Sequence, residues 1–82
     1  MLKGIIRGNI VSPRKKDALV GSKFMEVQLE EHGSLTDKYI IAIDSVGAGI
    51  GERVLITTGS SARLALLNTN APTDAVIVGI VD

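Results

Sequence analysis

The residues most suited to a chemical role lie between positions 44 and 63, where the chain reads DSVGAGIGERVLITTGSSAR. Three glycines, Gly47, Gly49 and Gly51, invite comparison with a phosphate-binding turn, which needs the spacing G-x-G-x-x-G and a helix directly after it. Here the glycines alternate with other residues, and a β-branched run follows them. We therefore expect backbone with positive φ, or backbone that lies against another chain, in place of a phosphate site.

The two serines of the GSSAR segment, Ser60 and Ser61, are candidates for a nucleophile, but a nucleophile needs a base within hydrogen-bond reach. The single histidine, His32, falls in a predicted turn, where we expect a solvated surface residue. Capping of a short helix is the simpler role for either serine, since its oxygen can accept a hydrogen bond from a free amide of the first turn. One histidine and no cysteine also predict no metal site and no cofactor.

Five segments of β character must position these residues. The fourth, RVLITT, directly follows the glycine segment, and the serines then lead into a short run of helix formers, ARLALL. We predict an all-β fold, a small five-stranded OB-like β-barrel with one short helix, because barrel closure removes exposed sheet edges. The predicted strands cover 2–11, 23–31, 38–43, 53–58 and 75–81.

Composition favours a small domain that associates with copies of itself. The 82 residues fit a single domain, residues 1–82, and without cysteine it has no disulfide to reinforce it. Hydrophobic residues make up 45% of the chain and aromatic residues only 2%, so the core must be aliphatic and some aliphatic surface is left over. A formal net charge of zero adds no self-repulsion. We expect a homo-oligomer.

One dense basic cluster consists of Arg14, Lys15 and Lys16. On an OB-like barrel it raises an alternative function, binding of single-stranded nucleic acid, in which bases stack on aromatic side chains. The chain offers only Phe24 and Tyr39 for stacking, so a solvated loop or a contact with an acidic partner is favoured. The apolar runs are far shorter than the roughly 18 residues of a membrane span, so we expect a cytoplasmic protein without a membrane partner.

Three blocks of the sequence together resemble a known family: GNIVSPRKKDALVGSKFMEVQL, IAIDSVGAGIGERVLITTGSSAR and TDAVIVGIVD. They are similar to the signature blocks of the vertex proteins of bacterial microcompartments, the EutN/CcmL family of carboxysomes and of ethanolamine- and propanediol-type metabolosomes. The resemblance covers nearly the whole chain. The middle block is the most specific, because it is long and ungapped.

The resemblance implies an OB-like barrel that assembles as a ring, generally a pentamer, and closes the vertices of a polyhedral shell built otherwise from hexameric proteins. It implies a structural protein of the shell, without enzymatic activity. The residues that match the family's blocks, and that we expect at the subunit interface or ring axis, are Asp44, Gly47, Ala48, Gly49, Gly51, Glu52, Gly59, Ser60, Ser61, Ala62 and Arg63. Arg14, Lys15 and Lys16 are candidates for contact with the hexameric shell proteins.

A mechanism for ring closure follows from these residue types. Glycines without a Cβ allow two backbones to approach closely, and an ion pair between Asp44 or Glu52 and Arg63 could form across the joint and select its register. Alternatively, these three charged side chains are exposed to solvent and contribute little to stability.

Overall fold

The computed structural model describes residues 1–11, 21–65 and 74–81, except the side chains of residues 63 and 64. The elements follow the order β1 (Leu2–Ile10), β2 (Lys23–Glu31), β3 (Ser34–Asp44), β4 (Arg53–Thr58), α1 (Ser60–Ala65) and β5 (Ala75–Val81). The predicted all-β fold is confirmed. The basic cluster Arg14, Lys15 and Lys16 lies outside the described residues. None of the described helices is long and apolar enough to cross a membrane.

The strands close into a barrel in the order β1-β2-β3-β5-β4. Every neighbouring pair is antiparallel except β3 and β5, which run parallel and pair only at Ile43 with Val76 and at Asp44 with Ile77. This short parallel ladder closes the barrel, which confirms the predicted five-stranded OB-like barrel.

The barrel interior is filled by aliphatic side chains and one methionine. Alternation along β2 turns Met25, Val27 and Leu29 inward, and Val54 and Ile56 point inward from β4. This agrees with the aliphatic core expected from the composition. The remaining buried members of the cluster are Ile6, Ala42, Ala48, Ala75 and Ile77.

A second, smaller cluster lies outside the barrel, under α1. Ala62 of the helix is fully buried against Ile43 of β3 and Val76 of β5, and Phe24 and Val78 pack against the same cluster. Because alanine is small, it fits between the helix backbone and the sheet. The cluster therefore fixes the GSSAR segment on the outer surface of the barrel, beside the β3–β5 ladder.

Strand β3 is longer than predicted, because it begins at Ser34 and not at position 38. The turn before it has two residues, His32 with φ 52° and Gly33 with φ 80°, and Glu31 pairs directly with Ser34. Positive φ at both turn positions suits a tight hairpin and lets the ladder start at once. His32 is exposed, as predicted.

The helix begins one residue earlier than the predicted capping would place it. Because α1 starts at Ser60, both serines lie within its first turn, and the residue before the helix is Gly59 with φ 68°. The main-chain amide of Ala62 donates to the carbonyl of Gly59, at 3.1 Å. The expectation that Ser60 or Ser61 stands as the cap residue before the helix is therefore wrong.

Candidate subunit interface

The glycine loop, residues 45–52 between β3 and β4, is shaped first by the carboxylate of Asp44. This carboxylate accepts hydrogen bonds from the main-chain amides of Val46 at 3.0 Å, Gly47 at 3.1 and 3.2 Å, and Ala48 at 3.0 Å. Aspartate at the start of a turn commonly binds amides two residues on in this way. Asp44 thus satisfies three successive amides that have left the sheet.

A second carboxylate, Glu52, holds the other end of the glycine loop. Its Oε1 accepts from the amide of Gly49 at 2.6 Å, while its own amide donates to the Gly49 carbonyl at 3.2 Å. The loop is also fastened to β1, since the Gly51 amide donates to the carbonyl of Ile6 at 2.8 Å and the Ile6 amide donates to the Glu52 carbonyl at 3.1 Å. The glycine loop therefore keeps its shape through bonds within one chain.

The three glycines of this loop have two different reasons to be glycine. Gly47 and Gly51 have φ values of 81° and 89°, a region that other residues rarely adopt, which confirms the prediction of positive φ for these two. Gly49 has no positive φ, and a Cβ placed there would meet only Glu52 Oε1, at 3.4 Å. The described part of the chain therefore gives no strong reason for glycine at position 49.

The glycine loop places one alanine in the core and leaves two larger apolar side chains outside. Ala48 is 4% exposed and belongs to the barrel core, so it anchors the middle of the loop. Val46 and Ile50 on either side of it are 41% and 62% exposed. A fixed loop that presents aliphatic side chains next to bare backbone is suited to contact with another protein surface.

The GSSAR segment is held by a different set of contacts. The Gly59 amide donates to the carbonyl of Asp74 at 2.9 Å, and the buried Ala62 packs on Ile43, which directly precedes Asp44. The structure thus brings the start of α1 close to the strand end from which the glycine loop departs. Ser60 and Ser61 are exposed there.

The predicted ion pair of Arg63 with Asp44 or Glu52 stays a prediction. The Arg63 side chain is outside the described residues, and both carboxylates already accept hydrogen bonds from loop amides of their own chain. These bonds leave other carboxylate lone pairs available. An ion pair with Arg63 across the subunit joint could therefore form while Asp44 and Glu52 continue to hold the loop.

A salt bridge that sequence reasoning missed lies on the outer face of β1, β2 and β4. Arg53 Nη2 donates to both carboxylate oxygens of Glu30, at 2.6 and 2.5 Å, and Glu30 is 8% exposed. The hydrogen bond from Arg53 lowers the pKa of Glu30, and the positive charges of Arg53 and Lys3 act in the same direction against the effect of burial. The two residues are 23 positions apart, so nothing in the linear sequence indicated the pair.

The described residues offer no constellation for catalysis by a metal. Within ranges 1–11, 21–65 and 74–81, no group of three or more histidine, cysteine, aspartate or glutamate side chains is placed to hold a metal ion. The site combines backbone without a side chain at Gly49, exposed aliphatic side chains, and carboxylates that order the loop. That combination is suited to protein–protein contact.

Comparison with known proteins gives the family. The model of the family described as "Ethanolamine utilisation protein EutN/carboxysome" matches residues 1–82, the whole chain. The chain belongs to the EutN/CcmL family. The family resemblance read from the three sequence blocks is thereby confirmed.

Relatives of this EutN/CcmL chain come from two kinds of compartment. The carboxysome shell vertex protein CcmL of Gloeobacter violaceus is 44% identical, over 96% of this chain and 80% of the relative. The bacterial microcompartment shell vertex protein PduN of Salmonella typhimurium is 42% identical, over 94% of this chain and 90% of the relative. Among solved structures, the pentameric microcompartment shell protein GrpN of Rhodospirillum rubrum is 37% identical and superposes with a TM-score of 0.89, covering all of this chain and 94% of its own.

Proposed function

We propose that this chain is a structural shell protein of a bacterial microcompartment, located in the cytoplasm as part of the shell, and that five copies form a ring at a shell vertex. The relatives named as shell vertex proteins, and the pentameric GrpN structure in particular, support this proposal. Residues 1–82 act as a single domain in it. The chain has a mechanical role and no enzymatic activity of its own.

Within the chain, the shape of the glycine loop is the observation that best supports this proposal. A closed ring needs a heterologous joint, in which two different surfaces of identical subunits meet. A loop whose backbone is bare at Gly49 and whose shape is fixed by Asp44 and Glu52 is suited to one side of such a joint. The other residues predicted at the interface would line or border this joint: Gly47, Ala48, Gly51, Gly59, Ser60, Ser61, Ala62 and Arg63.

Two finer parts of the proposal concern neighbours in the shell. Flat arrays of hexamers cannot close a polyhedron, so the pentamer would fit among hexameric shell proteins of the same compartment. Arg14, Lys15 and Lys16 would contribute positive charge to that contact.

The alternative function, binding of single-stranded nucleic acid, gains no support. The chain has one phenylalanine and one tyrosine. Phe24 packs against the cluster beneath α1, which leaves Tyr39 as the exposed aromatic side chain. One exposed ring does not make the row of stacking surfaces on which such binding depends. None of the relatives named above is described as a nucleic-acid-binding protein.

The test is the oligomeric state of the protein and of Gly49→Val. Native mass spectrometry of the unaltered chain is expected to give a pentamer. Within its own subunit a Cβ at position 49 would meet only Glu52 Oε1, at 3.4 Å, but the valine side chain would intrude on a neighbouring copy. We therefore expect Gly49→Val to remain folded by circular dichroism and to lose the ring.

Ser34→Val is the matched control, because it adds the same side chain at an exposed position at the start of β3. It is expected to keep the pentamer. A monomeric unaltered chain would overturn the proposed function itself. An intact Gly49→Val ring would instead remove the glycine loop from the joint.

A further inference from the structure

The outer row of β3 leaves two apolar side chains uncovered. Ile40 and Ala42 turn toward the core. Because side chains alternate along a strand, Tyr39 and Ile41 point outward, where they are 51% and 55% exposed. The next outward residue of the row, Ile43, is only 2% exposed because α1 packs over it. Tyr39 and Ile41 thus form an uncovered apolar stripe, which we name the β3 stripe.

A second apolar surface lies on the outer face of β4 and β5. Leu55 stands between the fully buried Val54 and Ile56 and therefore faces outward, and Gly79 is its direct partner on β5. Gly79 has no positive φ, and a Cβ there would meet Leu55 Cδ1 at 3.7 Å, an ordinary van der Waals distance. The Leu55–Gly79 pair adjoins an irregularity of the β4–β5 ladder, a place where strands often have glycine, and the missing side chain leaves a depression beside Leu55. We name the surface formed by Leu55 and Gly79 the β4–β5 depression.

The β4–β5 depression continues the surface of the glycine loop. Arg53 directly follows Glu52, the last residue of that loop, and pairs with Val81. Gly79 lies two residues before Val81 on the same strand and therefore on the same face. The depression and the glycine loop can thus belong to one contact surface.

We propose that the β3 stripe of one copy packs into the β4–β5 depression of the next copy around the ring, an inference that rests on the proposed ring. A cyclic assembly needs two different, complementary surfaces on each subunit, and this chain carries one that projects and one that is recessed. Their charged neighbours are also complementary. Glu26 is the ladder partner of Ile41, and Lys3 is the ladder partner of Leu55.

The two surfaces of one subunit are too far apart to meet each other. β3 and β5 run parallel and pair at Ile43 with Val76; the stripe precedes that pair and the depression follows it. Ile41 is two residues before Ile43 and Gly79 is three residues after Val76, which separates them by roughly 17 Å along the strands. Contact between the stripe and the depression is therefore contact between copies.

The first experiment alters each surface separately. Ile41→Lys places a charge in the stripe at an exposed strand position, and Gly79→Val fills the depression with a side chain that suits a strand. We expect each variant to stay folded and to raise the dissociation constant of the subunit joint about tenfold or more. Sedimentation velocity and native mass spectrometry at micromolar protein should then show loss of the pentamer.

Leu35→Lys is the matched control for the charge. Leu35 is on the same strand, is 46% exposed, and lies roughly 20 Å from Ile41 near the hairpin. Introducing the same lysine there is expected to leave the pentamer unchanged. Loss of the ring in Leu35→Lys as well would overturn the assignment of the stripe.

The decisive experiment mixes the two variants in equal amounts. Ile41→Lys keeps an intact depression and Gly79→Val keeps an intact stripe, so one productive joint can form between them. We expect a heterodimer of the two variants, without larger rings, because each copy then has one damaged surface. Two variants of the same surface, Ile41→Lys and Tyr39→Lys, are expected to stay apart when mixed.

Two results would contradict the proposed packing of the stripe in the depression. A pentamer that persists in Ile41→Lys or in Gly79→Val would overturn it, as would the absence of a heterodimer on mixing. These results leave the proposed function standing if the unaltered chain is a pentamer. A monomeric unaltered chain would overturn the ring and the inference together.

Discussion

Acidic side chains at three positions shape the backbone and the strands around them. Asp44 and Glu52 accept the amides that the glycine loop withdraws from the sheet, and Glu30 accepts both hydrogen bonds from Arg53 across the outer face. Charge-assisted hydrogen bonds of this kind are stronger than neutral ones. At the scale of single residues, Asp44, Glu52 and Glu30 are therefore structural groups.

The Glu30–Arg53 pair makes stability depend on acid pH in a defined direction. Because the pKa of Glu30 is lower in the folded protein than in the unfolded chain, the pair stabilises the fold above the unfolded-state pKa, and this contribution is lost as pH falls through the folded-state pKa. We expect the free energy of unfolding to fall more steeply between about pH 6 and about pH 3 in the unaltered chain than in Glu30→Gln. Urea unfolding across this range measures both slopes.

Glu31→Gln provides the comparison for that titration. Glu31 lies next to Glu30 and pairs with Lys38 at 3.5 Å, but both side chains of that pair are at least half exposed. Its pH profile should follow that of the unaltered chain closely. Equal slopes for Glu30→Gln and the unaltered chain would show that Glu30 does not carry the effect.

At the scale of elements, alternation and β-branched runs predicted most of the fold. The pattern KFMEVQLEE identified β2, and RVLITT and AVIVGIV identified β4 and β5 with the observed bounds. The first four residues of β3, Ser34–Asp37, were missed because they include a single apolar residue, Leu35, and no alternating pattern. There the ladder is supported by side chains, since Thr36 Oγ1 donates to the Leu29 carbonyl and Gln28 Nε2 donates to the Thr36 carbonyl.

The candidate site could be predicted only in part, for a related reason. Glycines, an aspartate and a glutamate in one short block predicted an unusual loop, because those residues act on their immediate neighbours. The Glu30–Arg53 pair depends on which strands lie side by side. The exposed β3 stripe depends on how far α1 extends over the sheet. Such information exists only once the barrel is closed.

Two glycines of β1 allow a matched test of strand packing. A Cβ at Gly4 would lie 2.5 Å from Val27 Cγ1 and 2.6 Å from the Gln28 carbonyl oxygen, whereas a Cβ at Gly8 would meet nothing within 4 Å. We expect Gly4→Ala to lower the free energy of unfolding by about 1–3 kcal/mol through overpacking. Gly8→Ala should be neutral or raise it by up to about 1 kcal/mol, because alanine restricts the unfolded chain.

Urea unfolding of both variants at one protein concentration measures the difference. Both substitutions add a single methyl group to the same strand, so strand propensity cancels between them. If the two variants were equally stable, the close contact at Gly4 would have to be relieved by a backbone shift.

At the scale of the whole molecule, a domain of 82 residues buries a smaller share of its surface than a larger domain does, and the proposed ring would add to its stability. Because association favours the folded subunit, the midpoint of thermal unfolding should rise with protein concentration over about a hundredfold range. Gly49→Val, which is expected to lose the ring, should have a midpoint that does not change with concentration. Differential scanning fluorimetry at several concentrations measures both, and a constant midpoint for the unaltered chain would contradict the coupling.

The bonds that hold the glycine loop also bear on how quickly rings can grow. Asp44 and Glu52 accept hydrogen bonds from amides of their own loop, and the Gly51 amide bonds to Ile6, which favours the shape of the loop before a second copy arrives. A collision in the right orientation then needs no slow rearrangement, and capture can proceed at ordinary protein encounter rates of about 10⁵–10⁷ M⁻¹s⁻¹. At micromolar supply, newly made subunits would find one another within seconds.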